Sequence, residues 1–144
     1  MKISLLFLIS AFVLAASWAV HAQQSKKHHF YDQLRDRDIQ FKLWFPAAGQ
    51  PSPLVVISHG SEGEYSNHYW LINHLVVNGY AVLGLNHPNN TTRNRTPEGV
   101  VKAWERPLDI TRLLDHVLAN NDWSKKLIQI TLPQLAFHRA VIPC

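Results

Sequence analysis

The spacing of apolar residues changes several times along this chain, and each change marks an element. From Phe30 to Phe45 the pattern reads as two short strands around the charged turn Arg35-Asp36-Arg37-Asp38. In the second strand Ile39, Phe41, Leu43 and Phe45 alternate with Gln40, Lys42 and Trp44, the period of two that turns one face inward. Pro46 to Pro53 is a loop, because proline cannot donate to a central ladder. Leu54-Val55-Val56-Ile57-Ser58 is then apolar without alternation, as expected of a strand buried on both faces. His59 to Glu64 is a glycine-bearing turn. Helical spacing follows from Tyr65 to Asn78, with Trp70, Leu71, Leu75 and Val76 on one broad face and Gly79 as the stop. Tyr80 to Leu85 is a second apolar strand, and Asn86 to Pro97 a polar loop. A second helix begins around Arg106-Pro107, where proline suits the first turn. It carries Leu108, Ile110, Leu113, Leu114, Val117 and Leu118 to about Asn121.

A buried strand, a helix, a second buried strand and a second helix imply a parallel sheet with crossover helices. The hairpin in front adds an antiparallel edge. The expected class is α/β.

The start of the chain belongs to no such pattern. Lys2 precedes an apolar run from Ile3 to Val20, broken only by Ser4, Ser10 and Ser17, and Val20-His21-Ala22 offers a small-residue exit before Gln23. A charged start, apolar core and small-residue exit read as a secretory signal over residues 1–22. An uncleaved anchor is the rival reading, since the run approaches the ~20 residues that span a bilayer. The polar run Gln23-Gln24-Ser25-Lys26-Lys27 favours cleavage, which makes the mature protein secreted or periplasmic and free of the membrane. Residues 23–29 are expected to be a flexible N-terminus, residues 30–126 a partial domain, and residues 127–144 a tail that matches nothing.

The chain has 144 residues, so removing the signal leaves about 120, a single-domain length. Losing Lys2 takes the formal charge from +4 to +3. The basic residues are scattered without interleaved aromatics, which argues against nucleic acid as a partner. Cys144 is the only cysteine, so the fold must rest on its apolar core rather than on a disulfide.

The most specific chemistry follows the first buried strand: His59-Gly60-Ser61-Glu62-Gly63. That turn, with Leu43-Trp44-Phe45-Pro46, the strand and loop from Tyr80 to His87-Pro88, and Trp104-Glu105-Arg106-Pro107-Leu108-Asp109, resembles the dienelactone-hydrolase-like branch of the α/β-hydrolases, which includes relatives of platelet-activating-factor acetylhydrolase. The resemblance covers roughly residues 31 to 123. It implies the N-terminal portion of an α/β-hydrolase sheet and an ester or lactone as small-molecule substrate. It also implies an oxyanion hole at His59, Gly60 and Ser61, with the Ser61 backbone N–H as donor. Such a donor stabilises the negative oxygen of acyl transfer without reorganising, and losing one costs ~10²–10³ in rate. His87, after the second buried strand, is a candidate for lining the pocket.

A rival reading uses the same turn. His59-Gly-Ser61-Glu-Gly63 is one substitution from the nucleophile elbow Gly-x-Ser-x-Gly, which would make Ser61 the nucleophile. His59 in place of the first glycine counts against it. In the family resembled, moreover, the elbow comes one strand-helix-strand-helix unit later. There Leu127 to Leu132 is a candidate strand, but Pro133 to Cys144 contains neither glycine nor serine. The nucleophile and triad are therefore expected to be absent, the chain incomplete and inactive as it stands, and its open sheet edge prone to aggregation. A non-catalytic exported fragment or binding module is the alternative. Asp109, Asp115 and Asp122 read as capping and surface carboxylates, and His138 as isolated.

Nine histidines raise the question of metal. His28-His29 is a polar pair, while His68 and His74 are six apart and so on different sides of a helix. No close-spaced ligand set emerges, so no metal is assigned, and nothing suggests an organic cofactor. Asn89, Asn90 and Asn94 begin Asn-x-Thr triplets and mark a surface loop, as do Arg93 and Arg95.

Overall fold

Four strands form the sheet: β1 (Lys27–Asp32), β2 (Arg37–Trp44), β3 (Leu54–Ser58) and β4 (Ala81–Asn86), in the spatial order β1-β2-β4-β3. This computed structural model describes residues 26–128. The signal segment, the tail and His138 lie outside them. The β1–β2 and β2–β4 pairs are antiparallel, and β3–β4 is parallel with Val56 opposite Leu83. The α/β class and its antiparallel edge are as the pattern predicts.

Alternation along β4 divides the core in two, because successive side chains leave a strand on opposite faces. On one face Val82 joins Trp44, Ile57, Tyr65, Ile72 and Val76. This is the side covered by a 3-10 turn (Tyr65–His68) and helix α1 (Tyr69–Val77). On the other face Ala81, Leu83 and Leu85 pack with Ile39, Phe41, Leu43, Leu113 and Val117. Leu113 and Val117 come from helix α3 (Glu105–Ala119), which follows the short helix α2 (Pro97–Val101) and precedes α4 (Asn121–Ser124). After α4 the chain returns to the free side of β3. There the Ser52 amide donates to the Lys126 carbonyl and the Ile128 amide to the Ser52 carbonyl, both at 3.0 Å. Leu127 forms a parallel bridge with Ser52. Leu127 and Ile128, the first residues of the expected tail, thus lie against Ser52, two residues before β3.

Gly84 is required where the first helical layer meets β4. A Cβ there would stand 3.0 Å from both Trp44 Cζ3 and Tyr65 Cβ. Gly79, at φ +88°, ends α1 in the left-handed region that glycine enters freely.

Several local expectations are corrected. Trp70 is 71% exposed, and Ile72 and Val76 are the buried residues of α1. Tyr65 fills the end of the layer over Gly84 and so sets the rotation of the helix on Ile72. Two residues correspond to about 200° of turn, so Trp70 faces away. Trp44 is buried although its strand was expected to hide only one face, because β2 is interior and the Tyr65 layer covers its second side. Leu54, Val55 and Val56 are only half-buried, since β3 has a full partner on one side alone. β1 starts at Lys27, inside the stretch expected to be flexible, and His28 stacks on Phe41 at 5.3 Å. The loop gives way at Pro97 to a short helix over residues 97–101 that the spacing did not predict, capped by the Thr96 hydroxyl accepting from the Gly99 amide at 3.0 Å.

Candidate active site at the carboxyl ends of two strands

β3 and β4 are parallel neighbours, yet the chain leaves them toward opposite faces, β3 into α1 and β4 into α3. This makes a topological switch point, the place where an open α/β sheet usually offers a ligand crevice. Ser58 and His59 stand on one lip, Asn86 and His87 on the other.

The turn after β3 is held from below by β4 and its loop. Asn86 Oδ1 accepts from the Tyr65 amide at 3.0 Å, and Asn90 Oδ1 accepts from the Glu62 amide at 2.8 Å. Gly63 donates its amide to the Gly60 carbonyl at 3.2 Å. Glu62 takes the left-handed bend, φ +57°. Among the described residues nothing accepts from the Ser61 amide, and Ser61 is exposed at the rim.

His59 is buried beneath this turn. Its Nε2 accepts from the His87 amide at 3.0 Å, so the ring proton sits on Nδ1, which donates to the Gly60 carbonyl at 2.6 Å. Burial is the main cause that lowers its pKa, and the charge of Arg106 adds to it. A neutral ring thus ties the two lips together.

His87 is fully buried, with a partner on each nitrogen. Nδ1 lies 2.9 Å from Asp109 Oδ2, and Nε2 lies 2.9 Å from Ser58 Oγ. Burial lowers its pKa first; the Asp109 hydrogen bond opposes that, while Arg106 and Arg37 reinforce it. The ring is therefore neutral near pH 7. A carboxylate only accepts, so Nδ1 carries the proton and Nε2 accepts from the Ser58 hydroxyl.

Asp109 corrects the sequence reading outright. Expected at the surface, it is 0% exposed, and Arg37 grips both its oxygens at 2.8 Å. Arg35 Nη2 adds an ion pair at 2.9 Å, off the hydrogen-bond direction. Burial alone would raise the Asp109 pKa, but the hydrogen bonds from His87 and Arg37 outweigh it and hold the group below the usual carboxylate range. Arg35 also binds Asp32 at 2.6 Å and Glu105 at 3.2 Å, so the charged turn reaches toward the core. Arg37 and Asp38 belong to β2 itself. Asp115 and Asp122 are exposed.

A cavity of about 420 Å³ adjoins this network, with His87, Arg37, Gln40, Asn89, Asn94 and Lys102 among its walls. Arg93 and Arg95 are drawn to Glu64 and Glu62 on the turn. Among the described residues no three His, Cys, Asp or Glu side chains gather as a metal site, and no helix is long and apolar enough to cross a membrane.

The structure joins His59 to Gly60 and to His87 by hydrogen bonds, leaves Ser61 exposed on the adjoining turn, and places His28 against Phe41 and Trp123 instead. Ser58, Asp109, Arg37 and Arg106 escaped the sequence reading. Two signals were present for them. Asp109 precedes Leu113 and Val117 at steps of four, on the buried face of α3. Arg37 shares the strand alternation of Ile39, Phe41 and Leu43, and so points inward with them.

No protein-family model matches the chain, and no curated protein matches it. Among solved structures, a PEG-bound complex of a novel cold-adapted esterase from an Arctic intertidal metagenomic library is similar in fold. The identity is 18% and the TM-score 0.49, over 67% of this chain and 49% of that one. The chain spans about half the length of that esterase.

Proposed function

We propose that this chain carries the oxyanion-stabilising and substrate-binding part of a hydrolase acting on carboxylic esters or lactones. One observation carries the reading. In the turn from Gly60 to Tyr65 the amides of Glu62, Gly63 and Tyr65 are engaged within the protein, while those of Gly60, Ser61 and Glu64 have no acceptor among the described residues, and Ser61 is exposed. An amide fixed in this way suits an oxygen that gains charge during acyl transfer, because its dipole is already aligned when the charge arrives. His59, which braces the turn from beneath, is a positioning residue. The motif resemblance to dienelactone-hydrolase-like enzymes supports ester or lactone carbonyls as the substrate class. On the same reading residues 1–22 export the protein to the periplasm or beyond.

The test is a titration of the full mature chain, uniformly labelled with nitrogen-15, with the monoanion of ethyl phenylphosphonate, a stable mimic of the tetrahedral intermediate. The Ser61 amide resonance should shift with saturation. Ser61→Ala should bind as the parent does, because only the backbone acts, while Ser61→Pro, lacking the N–H, should lose at least ~10-fold in affinity. Saturable binding that leaves Ser61 unmoved and is indifferent to Ser61→Pro would overturn the reading and favour a non-catalytic binding module using the larger cavity.

A further inference from the structure

Acyl transfer also needs an attacking oxygen, and the described residues hold a serine hydroxyl already bonded to a neutral imidazole. We propose that Ser58 is a nucleophile of this chain, with His87 as its general base and Asp109 as the group that orients the base. The proposal rests on the hydrolase reading above and supplies the reacting oxygen that reading lacks.

The geometry is a continuous line. Ser58 Oγ lies 2.9 Å from His87 Nε2, and His87 Nδ1 lies 2.9 Å from Asp109 Oδ2. Both separations lie within the range for a nucleophile, its base and the base's orienting partner. Exposure distinguishes this line from a structural brace. Asp109 is already neutralised by the two-pronged Arg37 contact and needs no hydroxyl at the far end of the line. Asp109 and His87 are sealed, whereas Ser58 is exposed at the crevice lip. Arg106 Nη2 stands 3.4 Å from Ser58 Oγ, so a fixed positive charge adjoins the place where negative charge would develop. Ser61 Oγ, by contrast, has no histidine partner among the described residues.

The chemistry balances within the chain and an ester substrate. Ser58 Oγ forms a bond to the carbonyl carbon as its proton passes to His87 Nε2. The tetrahedral anion collapses, the bond to the leaving oxygen breaks, and that oxygen takes the proton from Nε2. Water then repeats the sequence on the acyl-Ser58 ester and releases the acid.

A fluorophosphonate probe tests this on the folded mature chain. Ser58 Oγ would bond to phosphorus while fluoride leaves and the proton goes to His87. Peptide mapping should find the adduct on Ser58. Ser58→Ala, which changes an exposed group and should keep the parent's circular dichroism, should abolish it, and Ser61→Ala should not. Variants at His87 or Asp109 risk unfolding, so the pH profile of the labelling rate serves instead. The charged and titratable groups around His87 are Asp109 and Arg106 from α3, Arg37 from β2 and His59 from the end of β3. The rate should be flat above neutrality and fall by ~10²-fold or more as the imidazole protonates, with its midpoint below the ordinary histidine value of about 6.5. Folded protein that takes no label, takes it at another residue, or labels without that inflection would overturn the assignment. If the phosphonate still moves the Ser61 amide in that case, the hydrolase reading stands and only Ser58 falls.

Discussion

Replacing Asp109 by Asn probes the centre of the molecule. The change keeps the shape of the side chain and removes its charge. Arg37 would lose its only ion-pair partner among the described residues, while Arg35 would keep Asp32 and Glu105. Breaking a buried pair by removing one partner costs ~3–5 kcal/mol, because the remaining charge stays desolvated. The Arg37 side chain retains 15% of its exposure, which puts the expected loss near the lower bound, about 3 kcal/mol. Natural domains are stable by only ~5–15 kcal/mol, so this is a large share. For a domain of this size it corresponds to a fall in Tm of about 12–24 °C. Urea unfolding followed by tryptophan fluorescence, with buried Trp44 as reporter, measures it directly. A second variant isolates the cause. Arg37→Met should destabilise the parent protein but be neutral or stabilising in the Asp109→Asn background, where it removes an orphaned charge. A loss below about 1 kcal/mol for Asp109→Asn, or the same cost of Arg37→Met in both backgrounds, would refute the reasoning.

Stability should also depend on pH in two steps. His59 and His87 have folded pKa values below the unfolded one, so the unfolded chain takes up protons first; their contribution is complete above about pH 6.5 and is lost as pH falls through the folded values. Asp109, depressed below its ordinary value of about 3.9, adds a further loss only under that pH, and a urea midpoint that stays level from pH 7.5 to 5 would contradict the histidine part. On α1, Ile72→Ala should cost ~2–5 kcal/mol as a core cavity, whereas Trp70→Lys should stay within about ±0.5 kcal/mol; a reversed order in thermal melts would restore the face read from sequence.

Local pattern was enough for the class of the fold. The unbroken run from Ala81 to Leu85 is the strand buried on both faces, and Gly79 stops α1 where the spacing lapses. The turn His59 to Gly63 was visible as a place for chemistry because its glycines and position after a strand are properties of neighbouring residues. What the spacing did not decide was which elements meet. Trp70 looked buried because hydrophobicity counts toward a face wherever that face points, and only Tyr65 sitting over Gly84 sets the rotation of α1. Asp109 looked like a surface acid because carboxylates are rarely buried unpaired. Its partners Arg35 and Arg37 lie more than seventy residues earlier, in and beside a strand with no local link to α3. His87 likewise gains Ser58 only because β3 and β4 are adjacent and parallel. The sequence by itself determined the apolar strands and the two longer helices, since these depend on the spacing of neighbours along the chain. The tertiary structure decided the ionic core and the serine–histidine–aspartate line, because burial is tolerable for a charge only when distant segments deliver its counter-charge.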